Sequence, residues 1–130
     1  MRYAVFILIF LSLVLASCAF RKPLPSAHYG EPPTEFARQI PEYMDKYLRD
    51  PFTAQYLYIG SPIKGYSNDS FLDGGKVIWH GWVVPFQVNA KNPFNGDTGY
   101  KPYVALYENQ SLWKIKAGRL EDMKMITLVE

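Results

Sequence analysis

Two histidines, His28 and His80, one cysteine, Cys18, and a thin scatter of carboxylates are the side chains on which catalysis or metal binding would have to be built. Chemistry in a domain this small needs a nucleophile with its base, a pair of carboxylates, or a metal cluster. The spacing sets out none of these. His80 stands in Val77-Ile78-Trp79-His80-Gly81-Trp82, in phase with Ile78, Trp82, Val84, Phe86 and Val88, which turns it toward the core or the rim of a bulge. His28 falls in a proline-rich stretch, so zinc finds no second nitrogen or thiolate in the folded part. Asn92, Asn95 and Asp97 come nearest to a hard-cation site, but they supply one carboxylate and lack the spacing of a calcium loop. No metal and no cofactor is expected. An acid or base drawn from Asp97, Glu108 or His80 would need a shifted pKa and is the enzymatic alternative, a small envelope enzyme acting on peptidoglycan.

Binding is the stronger expectation, and two sets of residues carry it. The run from Val88 to Tyr103 holds three Asn, one Asp and two Gly, a composition suited to a tightly specified loop. That loop is either self-satisfied and structural or a surface for a protein or glycan partner, with Asn89, Lys91, Asn92, Asn95, Asp97 and Tyr100 as contacts. The second set is Tyr56 with Tyr58, and Tyr103 with Tyr107, each pair at strand spacing. If the two faces coincide, a tyrosine-rich surface lies opposite the side of Leu57, Ile59, Val104 and Leu106. Such a surface suits an interface or sugar stacking as well as an ordinary half-buried sheet.

The N-terminus reads as an address. Arg2 precedes a 14-residue apolar stretch, Tyr3 to Ala16, broken only by Ser12. At about 1.5 Å per residue it spans about 21 Å, short of a roughly 30 Å hydrocarbon core, which fits an export signal better than a membrane span. Leu15-Ala16-Ser17-Cys18 then resembles the lipobox of bacterial lipoproteins: a branched residue, two small residues and the lone cysteine. The resemblance implies cleavage before Cys18, lipidation of its sulfur and permanent membrane attachment. Ala19 in the next position implies, by the same resemblance, the periplasmic face of the outer membrane. The alternatives are an uncleaved anchor running from Tyr3 through Phe20, or a cleaved soluble product.

These residues need a scaffold, and 130 residues allow one modest domain. Apolar residues are 48% and aromatics 16%, ample for a core, while a formal charge of +2 offers no basic footprint for nucleic acid. Residues 1–17 are the signal, 18–33 the lipidated cysteine and a proline-rich tether, and 34–130 a single α+β domain. The tether carries Pro23, Pro25, Pro32 and Pro33 and could reach about 45 Å at roughly 3.1 Å per residue. Phe36, Ile40, Tyr43, Met44, Tyr47 and Leu48 form one apolar stripe, predicting a helix capped at Thr34, kinked or restarted at Pro41, and stopped by Asp50-Pro51. Period-two patterning predicts strands at 54–59, 76–89, 101–108 and 111–116, the last two joined in a hairpin across Glu108-Asn109-Gln110. Ser61 to Gly75 reads as a long loop, and the tail from Gly118 fits either a helical turn or a strand. The expected architecture is one amphipathic helix packed on an antiparallel sheet of about four strands.

Asp50-Pro51-x-Thr53-Ala54, then Val88-Asn89-Ala90-Lys91-Asn92, Gly96 and Gly99 through Tyr103, resemble blocks shared by a group of small exported or membrane-anchored bacterial proteins. That resemblance implies a shared domain and no particular reaction. Together these features point to a non-catalytic, lipid-anchored binding or accessory module of the cell envelope. It would serve an assembly or secretion machine, or act as an inhibitor or exclusion protein, with an envelope protein as partner and the membrane engaged through the lipid.

Overall fold

The computed structural model describes residues 21–24, 27–91, 96 and 99–129. Leu15, Ala16, Ser17 and Cys18, and the loop residues Asn92, Asn95 and Asp97, lie outside them. One helix, α1 (Phe36–Met44), packs on an antiparallel sheet, so the α+β class holds. Among the described residues the sheet has six strands rather than about four: β1 (Gln55–Tyr58), β2 (Ile63–Asn68), β3 (Val77–Asn89), β4 (Lys101–Glu108), β5 (Ser111–Ala117) and β6 (Ile126–Leu128). No helix among the described residues is long and apolar enough to cross a membrane.

The thirteen-residue β3 is the spine. β4 pairs along one edge, from Trp82↔Tyr107 to Val88↔Lys101. The other edge is shared end to end by β2, at Val77–Val83, and β1, at Phe86–Asn89. Between the pairs Tyr58↔Phe86 and Ile63↔Val83, four residues oppose two, a wide interruption turned by Gly60 at φ 73°. This is why Pro85 is tolerated in a central strand. Its carbonyl accepts from the Ile59 N–H at 3.0 Å, so its missing donor also points at the interruption and removes no ladder bond.

Two layers cover the sheet. Ile40 and Met44 of α1 close over Val84, Phe86, Val88, Ala105 and Tyr107 on one face. On the far face Trp79, Val83, Val104, Leu106 and Ile126 are buried beneath Leu120 and Met123. The helix is shorter than the apolar stripe suggests, and Tyr47 and Leu48 lie beyond its end. Thr34 does not cap it. The Thr34 N–H and hydroxyl are taken by Gln110 Oε1 at 3.2 and 3.5 Å, and Glu35 holds the cap position without a side-chain bond. Pro41 sits inside α1 and deprives the Ala37 carbonyl of its donor four residues on; the Tyr58 hydroxyl donates there instead, at 3.5 Å.

Two further expectations are corrected. Residues 63–68, expected as loop, form β2 between β3 and β6, although Gly65, Ser67 and Asn68 are poor strand formers. Gly65 is required there: a Cβ would lie 2.9 Å from Val83 Cγ2 and 3.1 Å from the Thr127 carbonyl oxygen. Residues 21–33, expected as a free tether, are where described a strap seated on the sheet. The Arg21 N–H donates to the Gly75 carbonyl at 3.0 Å, and Asn68 Nδ2 donates to the Arg21 carbonyl at 2.7 Å. Trp82 Nε1 donates to the carbonyls of Tyr29 and Gly30 at 3.0 and 3.2 Å. Gln110 Nε2 donates to those of Glu31 and Pro32 at 3.3 and 2.8 Å. The ambiguous tail resolves into a turn at Leu120–Asp122 followed by β6.

Candidate functional site: a strapped cleft and a distal pole

The strap roofs a cleft of about 460 Å³ whose lining includes His28, Tyr29, His80, Glu108 and Asn109. Each element has a local cause. Position 30 needs glycine twice over: its φ is 68°, and a Cβ there would collide with the side chain of Asn109 on the hairpin turn, itself left-handed at φ 57°. The Gly30 N–H donates to His28 Nδ1 at 3.0 Å, which places the proton of a neutral His28 on Nε2. His80 is half-buried and meets the Tyr29 ring edge-on, with centroids 5.5 Å apart. Lys64 Nζ stands 5.7 Å from the Tyr29 ring centroid and 5.5 Å from that of Trp82, a cation shared by two aromatic faces. Burial raises the Tyr29 phenol above its ordinary pKa, with Tyr66 adding to the effect.

Two of the three acid-base candidates, His80 and Glu108, thus line one cleft; Asp97 lies outside the described residues. Among the described residues no three His, Cys, Asp or Glu side chains converge to hold a metal. A second cavity of about 700 Å³ continues from His28 and His80 past Val77 toward Arg21, Lys22 and Lys76.

The four tyrosines do share one face, but it is the face beneath α1. Tyr107 is fully buried, and Tyr56, Tyr58 and Tyr103 are half-buried around Phe86, with ring centroids 5.6–6.3 Å from it. Burial pushes the Tyr56 phenol up to about 12, helped by the Asp45 carboxylate, and drives Tyr107 higher still. Leu57 of β1 and Ile59 just past its end point outward, 49% and 46% exposed. Of the two readings of these tyrosines, an interface or a half-buried sheet, the geometry fits the second: they form a layer packed under α1.

No family model, curated protein or solved structure matches this chain. Its own geometry must carry the functional reading.

Of the loop candidates, Asn89, Lys91 and Tyr100 are described, and they lie at the opposite end of β3 from the strap's start, about 40 Å along the strand at roughly 3.3 Å per residue. Asn89 ends β3, and the Lys91 N–H donates to Thr53 Oγ1 at 3.5 Å, tying the loop to the turn at Pro51–Thr53. Tyr100 re-enters β4 half exposed. Sequence reasoning missed Phe52, which is 99% exposed on that turn, and placed Tyr47, 66% exposed, in the core stripe. The signal for Phe52 was available: it follows Pro51 and fits neither the helical nor the strand period. Phe52, beside Thr53, and Tyr100, beside Lys101, are thus exposed aromatics at the same end of the domain as Asn89 and Lys91.

Proposed function

We propose that this protein is a non-catalytic binding or accessory module of the bacterial cell envelope. It is anchored through a lipid on Cys18, at the periplasmic face of the outer membrane, and meets an envelope protein through its distal pole. The observation carrying this reading is the near-complete exposure of Phe52 on the turn whose Thr53 hydroxyl accepts from the Lys91 N–H. A large apolar side chain held in water on an ordered turn suits contact with another protein, and aromatic residues dominate the energetics of such contacts. Anchoring adds effective concentration for any membrane-bound partner. The partner class is an assembly or secretion machine, or an incoming enzyme or phage component that the module blocks.

The test is crosslinking and copurification of the full chain from intact cells, wild type beside Phe52→Ala, Lys91→Ala and Tyr100→Ala, with melting curves on the same proteins. Loss of a specific partner from Phe52→Ala at unchanged Tm supports the reading. Retention of every captured protein by a Phe52→Ala/Tyr100→Ala double variant refutes it.

The strapped cleft favours one second reading, an envelope enzyme acting on peptidoglycan with His80 and Glu108 as its acid-base pair. Glycan-strand or peptide cleavage abolished by both His80→Ala and Glu108→Gln, at unchanged Tm, would support it.

A further inference from the structure

We infer that the end of the sheet bearing Arg21–Leu24 and the β2–β3 turn is a membrane-seating surface that fixes the domain against an anionic bilayer; this rests on the lipidation of Cys18 proposed above. The argument begins with reach. Three residue steps separate Cys18 from Arg21, so at about 3.6 Å per step their Cα atoms are at most about 11 Å apart. Arg21 is itself clamped to the sheet through the Gly75 carbonyl and Asn68 Nδ2. A lipid on Cys18 therefore brings this edge of the domain to the headgroups, where a free tether would have let it stand off or tumble.

The side chains at that end suit the position. Leu24 is 74% exposed on the strap and Leu72 is 93% exposed at the tip of the Phe71–Asp73 turn. Arg21, Lys22 and Lys76 are exposed cations around the adjoining groove. Two carboxylates share the turn, Asp69 and Asp73; the Asp73 carboxylate accepts from the Ser70 hydroxyl, and Asp69 is half-buried. Exposed apolar tips and cations at the same end of the domain, close to a lipid anchor, match a headgroup layer carrying negative charge. Seated this way, the Phe52 pole points about 40 Å away from the membrane along β3.

The experiment uses the full lipidated chain in phosphatidylcholine vesicles with and without phosphatidylglycerol. Cys18 is the only cysteine, and acylation caps its sulfur, so Leu72→Cys, Leu24→Cys or Phe52→Cys each supplies a single thiol for a fluorophore. These sites are exposed, so labelling leaves the fold intact. Labels at Leu72 and Leu24 should be quenched several-fold more by brominated lipid than the label at Phe52, and more so in anionic vesicles. Aqueous iodide should give the reverse order. Intact mass in the same samples reads acylation. Acylated protein whose Leu72 label is as open to iodide as the Phe52 label overturns the seating surface and leaves the anchor standing. A Leu72 label shielded from both quenchers means another protein copy covers it, and also overturns the inference. Absence of acyl mass removes the anchor, and the seating surface with it.

Discussion

Asn68→Ala should free the strap without dismantling the sheet. The Asn68 side chain is 7% exposed and donates to the Arg21 carbonyl at 2.7 Å and the Gly75 carbonyl at 2.9 Å. The Gly75 carbonyl keeps a second donor, the Arg21 N–H, and the Arg21 carbonyl belongs to an exposed residue that water can reach. Neither acceptor is stranded, so the loss is that of two net hydrogen bonds, about 1–3 kcal/mol. Taking about 2.1 cal/mol/K per residue over the roughly 100 described residues, Tm falls by roughly 5–14 °C. Asn68→Asp should be worse near neutral pH, because a carboxylate then faces two carbonyl oxygens. Its excess penalty should shrink as pH falls through the carboxylate range, since the protonated acid regains a donor. Hydrogen–deuterium exchange on the full chain should show residues 21–31 exchanging faster in Asn68→Ala, with β3 and β4 unchanged. An unchanged Tm with unchanged exchange at residues 21–24 would refute the clamp.

Gly81→Ala places a Cβ into the Tyr107 carbonyl oxygen and 3.1 Å from Trp79 Cζ2, so it should cost about 3 kcal/mol or more, read by chemical denaturation. Alkaline titration gives a second check. Tyr56 is raised from 10.0 to about 12 and Tyr107 further, so the folded state binds more protons than the unfolded once pH exceeds 10. The stability these phenols contribute is whole below pH 10 and falls as pH rises through 10 to 12, with their phenolate absorbance appearing late and together with unfolding. Finally, Tyr58→Phe should cost about 0.5–1 kcal/mol in the wild type, and less in Pro41→Ala, where a helix N–H is restored to the Ala37 carbonyl; denaturant melts of the double-mutant cycle measure the difference.

The strands were legible where burial alternates with an unmistakable period. β3 lies at 77–89 against an expected 76–89, and the β4–β5 hairpin turns where expected, at Asn109-Gln110. β2 was illegible because Gly65, Ser67 and Asn68 are selected for close approach and hydrogen bonding, not for strand propensity. The tyrosine face stayed open between interface and half-buried sheet for a different reason. Both phases of β4 are buried, Ala105 and Tyr107 under α1, Val104 and Leu106 under the C-terminal turn, so alternation shows that two faces exist without saying which meets water. Of the candidate site, the loop's position at a strand end was readable, and Phe52 stood out of both periods, but its closeness to Lys91 was not, because that depends on the bond between the Lys91 N–H and Thr53 Oγ1.

The strap follows from a mismatch of lengths. Nine helical residues cover about 14 Å, while thirteen residues of β3 run about 40 Å. One short helix cannot shield that face, and Trp82 and His80 lie toward the uncovered end. Something outside the helix must cover them, and in this chain the segment just before it is at hand. Proline suits that duty: Pro32 and Pro33 hold the backbone extended without demanding sheet partners, and the carbonyls of Glu31 and Pro32 are met by Gln110, as those of Tyr29 and Gly30 are met by Trp82. A segment that reads as a tether by composition is thus held as a cover by side chains far away in sequence. With Cys18 lipidated as proposed, the same mismatch would have a functional result. Residues spent covering the sheet are not free to span distance from a bilayer, so the fold itself would set which end a membrane meets and which end it presents.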